Sequence, residues 1–334
     1  MATLFCMLIS LSALAQQKDL LQRFANNPII TAGMLGKEGD DINGPSLIRV
    51  PDWVPNRLGR YYLYFAHHKG KYIRLAYAND LKGPWKIYAP GTLQLTDCRC
   101  QSGPAKQVES VRHEGAENAE DQVTHVASPD VHIDAGGRQL VMYFHCPLTD
   151  QGRNGQYSLR AVSKDGIHFT ADTTILGVSY FRVFNWKDQY YALARNSRFS
   201  RSPDGIRRFE EGPNVFARIG QPNSLRHSAL VRKGDTLYVF YSRVGDSPER
   251  ILLSTIHLTD DWNNWTLSEP ITVAEPQTDY EGANLPAGPS KPGLFYGLVR
   301  QLRDPYVYEE KGKWYLLYTA AGEHAIGIGE LHLR

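Results

Sequence analysis

The chain lacks an excess of charge of either sign: 37 Lys and Arg stand against 35 Asp and Glu in 334 residues, for a formal net charge of +2. That balance argues against a polybasic nucleic-acid arm and, with 42% hydrophobic residues, against disorder. Cysteine and methionine are scarce, 4 of each, and Cys98-Arg99-Cys100 has no second cysteine pair or nearby histidine cluster. A structural zinc of the cysteine type therefore has no ligand set. After the first fifteen residues no apolar run nears the length of a membrane-spanning helix, so no membrane span is expected. What is plentiful is aromatic and turn-forming: 19 Tyr, 12 Phe and 6 Trp beside 29 Gly and 19 Pro. This mixture favours strands and turns over helices.

Residues 1–15 are apolar and end in Ala13-Leu14-Ala15 before Gln16-Gln17, the small-x-small pattern of a signal peptide cleavage site, although no Lys or Arg precedes the run. The expectation is a secreted or periplasmic protein. Loss of the leader removes Cys6 and leaves Cys98, Cys100 and Cys146, an odd number. A bridge from Cys146 to one of the other two and a set of free thiols both fit.

A unit repeats along the chain: a short apolar strand, a Gly turn, an aromatic strand and a further short strand. It runs through 45–77, 130–161, 180–193, 227–254 and 305–328, with Tyr61-Tyr62-Leu63-Tyr64-Phe65 and Trp314-Tyr315-Leu316-Leu317-Tyr318 as typical aromatic strands. Five copies with period-two alternation predict an all-β, five-bladed β-propeller over 27–334, because each small sheet needs a neighbour on either face. Turns such as Ser163-Lys164-Asp165-Gly166-Ile167 and Ser202-Pro203-Asp204-Gly205-Ile206 read as structural.

The run of blades, Leu81-Lys82-Gly83-Pro84-Trp85, Asp165-Gly166-Ile167-His168-Phe169, Ser128-Pro129-Asp130 and Arg303-Asp304-Pro305 resemble the five-bladed propeller glycoside hydrolases, family 43 and its relatives. The resemblance covers nearly the whole mature chain through short motifs. It implies an active site at one mouth of the central channel, with an Asp base from the first blade, a second Asp that tunes the acid, and a Glu acid in a Glu-Gly pair. Asp130 and Glu281-Gly282 match the last two; where the base belongs, this chain has Gly44-Pro45, leaving Asp40, Asp41 or Asp304 to supply it. Glycosidic cleavage needs two such carboxyls, one protonated and one ionised.

The catalytic candidates are thus Asp41, Asp130, Glu281 and Asp304, with His227 as an alternative acid or a ligand of a central cation. Asn43, His67, His68, Lys69, Arg182, Arg226 and Arg303 are candidates for holding substrate, the arginines through a carboxylate, sulfate or phosphate. Neighbouring histidines on a strand face opposite ways, so His67 and His68 are not expected to share a metal. No cofactor is required; Ca2+ at the channel centre is allowed, though no ligand spacing demands it. Trp53, Trp186 and Tyr180 offer faces for sugar stacking, with core packing as the ordinary role. The polar stretch from Thr96 to Thr124 suits a lid over the mouth, which implies exo action. The function read from these residues is an exported glycoside hydrolase for plant or algal glycans, with a carbohydrate partner and no nucleic acid. A mannoside-type phosphorylase and a non-catalytic glycan-binding propeller are the alternatives.

Overall fold

The computed structural model describes residues 20–39, 41–68, 70–100, 124–293, 295 and 297–333. The expected leader over 1–15, Asp40, Lys69 and residues 101–123 of the expected lid lie outside them.

The described residues are almost entirely strand and turn, and the strands form five small antiparallel sheets arranged in a ring. The N-terminal strands are β1 (Leu21–Arg23) and β2 (Ile30–Thr31). The first blade holds β3 (Asn43–Arg49), β4 (Tyr61–Ala66), β5 (Arg74–Ala78) and β6 (Lys86–Tyr88). The second holds β7 (Ala127–Asp134), β8 (Gln139–Asp150) and β9 (Arg153–Ser163), with β10 (Thr170–Ala171) and β11 (Gly177–Val178) on its outer edge. The third is β12 (Arg182–Trp186), β13 (Gln189–Leu193), β14 (Arg198–Ser202) and β15 (Glu210–Asn214). The fourth is β16 (Leu225–Lys233), β17 (Thr236–Arg243), β18 (Ile251–His257) and β19 (Ile271–Ala274). The fifth, β20 (Leu302–Glu310), β21 (Lys313–Ala320) and β22 (Ala325–Leu331), is completed by β1 and β2, both paired antiparallel to β22. The N-terminal segment thereby closes the ring.

Period-two alternation explains why the ring forms. Along β4, Tyr61, Leu63 and Phe65 enter the core between the fifth and first blades, while Tyr62, Tyr64 and Ala66 enter the core between the first and second. In β21 Leu317 faces one seam and Leu316 and Tyr318 the other. Five apolar clusters fill the five seams, so each sheet is covered on both faces. The outer turns tie neighbours together: the Asp165 carboxylate accepts from the backbone N–H groups of Ile167 and His168, and the buried Gly166 carbonyl accepts from Tyr64 of the previous blade at 2.8 Å. Gly166 has φ +75, and a Cβ there would meet Leu140 Cδ1 at 2.6 Å, so the turn requires glycine.

Cys100 and Cys146 form a disulfide, while Cys98 is a thiol whose pKa burial pushes up to about 12. Trp186 is packed in the seam between the third and fourth blades and Trp53 against that between the first and second, which gives both a core role.

Candidate active site at the channel mouth

The innermost strands β3, β7, β12, β16 and β20 all start at one mouth of the channel. Because the second strand of each blade runs back, the hairpin between second and third strands returns to that same mouth. Strand starts and these hairpins therefore supply the lining together. The strand starts are distorted: register shifts occur between Asn43 and Ser46, Ala127 and Asp130, Leu225 and Ser228, and Arg303 and Tyr306. Gly44, Ser128 and Asp304, each followed by Pro, take left-handed φ values of 58°, 50° and 45°. Bulges of this kind re-aim side chains beside a site, and a left-handed aspartate is costly enough to suggest a functional reason.

The mouth opens on a cavity of about 380 Å³ bordered by His68, Tyr180, Arg195, Arg226, His227 and Gly293. Two imidazoles face it, each backed by buried carboxylate. His227 Nδ1 lies 2.8 Å from Asp304 Oδ1, although the approach lacks the direction of a hydrogen bond, and Thr319 donates to Asp304 Oδ2 at 3.1 Å. His68 Nδ1 lies 3.1 Å from Asp41 Oδ2 and 3.0 Å from Glu323 Oε2. The His68 backbone N–H also donates to Asp41 Oδ2 at 2.9 Å, and Asn43 Nδ2 donates to Asp41 Oδ1 at 3.0 Å. His67 and His68 sit past the end of β4, in its hairpin, so the strand rule does not separate them: His67 Nδ1 is 3.9 Å from the same Asp41 oxygen.

Behind this wall Arg303 is the hub. It donates to Glu323 Oε1 and to Gln301 Oε1, both at 3.0 Å, and lies 3.5 Å from Glu249. Arg226 pairs with Glu249 at 2.8 Å and donates to the carbonyls of Lys291 and Gly293. Burial would raise the carboxyls of Asp41 and Glu323. The neighbouring His68 outweighs it for both, aided at Glu323 by Arg303, and both are held below the ordinary range, Glu323 far below. Asp41, His68 and Glu323 place one ligand atom each within 4.8 Å of one another, a set able to hold a metal ion. Tyr180, with φ 64°, lies between His145 and His227, at ring distances of 4.3 and 5.0 Å.

Of the residues singled out from the sequence, Asp41, Asn43, His67, His68, Arg226, His227, Arg303 and Asp304 meet at this mouth. Asp130 and Arg182 are buried further into the channel wall. Asp130 Oδ2 accepts the Val183 backbone N–H at 2.8 Å and lies 2.8 Å from His132 Nε2; the net effect of burial, His132 and Arg182 is to lower its pKa. Arg182 donates to the carbonyls of Ser128, Pro129 and Ser228, bracing inner strands of the second and fourth blades. Glu281 is elsewhere: its fully buried carboxylate is bound by Arg23, Tyr280 and Tyr318 and the backbone of Gln277 and Thr278. Glu323, Glu249, Gln301 and His145 escaped sequence reasoning. The first two sit in second-to-third hairpins, and the strand count of a blade was the signal that places them at this mouth.

No protein-family model matches the chain. An uncharacterized protein, R118, of Acanthamoeba polyphaga mimivirus is 38% identical over 331 residues, covering 92% of this chain and 89% of that one. Among solved structures, a thermostable family-43 glycoside hydrolase superposes with a TM-score of 0.53 at 12% identity, covering 88% of this chain and 90% of that one. A second, reported as showing that the GH130 family of mannoside phosphorylases contains glycoside hydrolases that target β-1,2 mannosidic linkages in Candida mannan, gives 0.57 at 12%, covering 93% of each. At such identities the likeness is one of fold: the five-bladed propeller shared by these groups.

Proposed function

We propose, for a chain that belongs to the same family as the mimivirus protein R118, that the mouth bordered by His68 and His227 is the active site of an exported glycoside hydrolase acting on the ends of plant or algal glycans. The observation that carries this reading is the pair of imidazoles facing one cavity, each with a buried carboxylate behind it. A carboxylate fixes the orientation of an imidazole and stabilises its charged form, which is what a general acid or base needs. His227, held by Asp304, donates a proton to the departing glycosidic oxygen. The Asp41, His68 and Glu323 cluster takes a proton from the water whose oxygen bonds to the anomeric carbon. One C–O bond breaks, one forms, and the proton balance closes. The compact cavity favours a terminal sugar over the middle of a long chain.

A panel of aryl glycosides and oligosaccharides, assayed for released sugar with and without inorganic phosphate, tests the reading. Release that needs no phosphate and is lost in Asp304→Asn supports it; retention of glycan with no turnover removes it. Arg195 and Arg226 at the cavity favour a second reading, a glycoside phosphorylase, in which phosphate replaces water as the acceptor. Strict phosphate dependence with a sugar phosphate as product would establish that one instead.

A further inference from the structure

We propose that Asp41, His68 and Glu323 form a binding site for one divalent first-row transition metal ion of the Zn2+ or Mn2+ type, with its open side toward the cavity. Ligand atoms held about 2.1 Å from a common ion lie about 3.0–3.4 Å from one another. His68 Nδ1 is 3.1 Å from Asp41 Oδ2 and 3.0 Å from Glu323 Oε2.

Proton accounting leads to the same place. Four polar atoms crowd the single nitrogen His68 Nδ1: Asp41 Oδ1 at 3.2 Å, Asp41 Oδ2, Glu323 Oε2, and Asn43 Nδ2 at 2.8 Å. The carboxylates call for an N–H there, whereas the Asn43 amide, already donating to Asp41, calls for a lone pair. No protonation state of His68 meets both demands. A cation between the ring and the two carboxylates uses the lone pair and replaces the proton. Glu323 Oε2 gives an independent sign: it belongs to a residue only 2% exposed, yet it has no hydrogen-bond partner, because the 3.0 Å approach of His68 lacks the required direction. A buried oxygen left in this state calls for an explanation such as an ion.

The supporting contacts are those expected around a metal. Arg303 fixes the other oxygen of Glu323, and Asn43 and the His68 backbone fix Asp41. Two carboxylates and one imidazole suit a borderline ion, whereas Ca2+ prefers an all-oxygen shell. Three protein ligands leave a position for water, as in catalytic rather than structural sites. The inference rests on and deepens the proposed reading of this mouth: with an ion bound, the cluster would act on the attacking water through the ion, which lowers the pKa of bound water, rather than by taking its proton directly. Its test uses no substrate and fails separately.

The full chain, stripped with chelator and shown to be folded by circular dichroism, is titrated with Zn2+ and with Mn2+ by calorimetry and analysed for metal content after dialysis. The expected result is one ion per chain, with affinity about tenfold or more weaker in Glu323→Gln and in His68→Gln. Two variants are used so that one still reports if the other does not fold. Absence of stoichiometric uptake of either ion by the folded wild type, or undiminished affinity in a folded variant, overturns the site. Uptake without sugar release would leave the site standing and remove the hydrolase reading; sugar release by protein that takes up no ion would do the reverse.

Discussion

Replacing Glu281 by Gln should cost the protein stability and leave its chemistry intact. The carboxylate lies where the N-terminal strand closes the ring. Arg23 of β1 donates to Glu281 Oε1 at 2.7 Å, while its other nitrogens hold Gln277 Oε1 at 2.8 Å and the Glu275 carbonyl at 2.7 Å. Tyr318 adds a bond of 2.6 Å to Oε1, and the backbone N–H of Gln277 one of 2.8 Å to Oε2. Glu281 is fully buried and Arg23 partly so, and removing one charge of a buried pair typically costs about 3–5 kcal/mol, which the partial exposure of Arg23 makes an upper range here. At roughly 2 °C per kcal/mol for a chain of this length, Tm should fall by up to about 6–10 °C. The pH dependence has a definite sign. Burial alone would raise the Glu281 pKa, but Arg23 and Tyr318 lower it on balance, so its stabilisation is complete above the unfolded value near 4.3 and is lost as pH falls through the lower folded value. The difference between wild type and variant should thus be constant from pH 7 to about 5 and shrink below about 4. Thermal unfolding followed by circular dichroism, with kcat measured well below Tm, checks both parts. An unchanged Tm with abolished turnover would refute this reasoning and place Glu281 in the catalytic centre.

Three further outcomes follow from the same contacts. Asp304→Asn should lower kcat by about 10²–10⁴ with KM little altered, because His227 loses the carboxylate that lies against its Nδ1; steady-state kinetics on a hydrolysed glycoside decide this. His145 is buried with no hydrogen-bond partner on either ring nitrogen; burial, with His125 and Arg195 adding to it, holds its pKa well below the ordinary value. It stays neutral when folded, so wild type should lose up to about 1.4 kcal/mol per pH unit as pH falls below about 6.5. His145→Phe should flatten that slope in denaturant titrations at pH 7.5 and 5, and an unchanged slope would count against the assignment. The Cys100–Cys146 disulfide joins residues 46 apart, so Cys146→Ser should cost about 2–4 kcal/mol and make Tm insensitive to reductant.

The propeller was legible because its cause is local. Tyr61 and Tyr62 must enter different seams whenever a strand alternates, and five such strands cannot be covered except by one another. The turns at Asp165 and Asp204 were equally readable, since an Asp two and three residues before backbone N–H groups caps them wherever it occurs.

The site was legible by halves, and the division has a topological cause. Asp41, His227 and Asp304 lie at or just before the starts of inner strands, so a sequence read as blades brings them to one mouth. Glu323 and Glu249 lie at second-to-third hairpins; they reach that mouth only because each blade reverses direction twice, a fact about strand order rather than residue type. The register shifts between Ala127 and Asp130 and between Arg303 and Tyr306 are likewise unwritten in the residues. Asp130 and Asp304 both attend an X-Pro step at a strand start, yet Asp304 occupies the left-handed position before proline and Asp130 the position after it. The former meets His227 and the latter caps Val183. The Glu-Gly pair misleads for a third reason. Glu281 closes a short 3-10 turn over Asp279–Glu281 by accepting from the Thr278 backbone, and Gly282, at φ 76°, ends it. A glutamate followed by glycine is also what a capped turn requires, so the dipeptide alone carries no chemistry. Counting the blades brings Asp41, Asp304 and Glu323 to one mouth and leaves Glu281, in its turn beside β1, outside it, whereas the parting of Asp130 from Asp304 is decided one residue at a time by the bulge at each strand start.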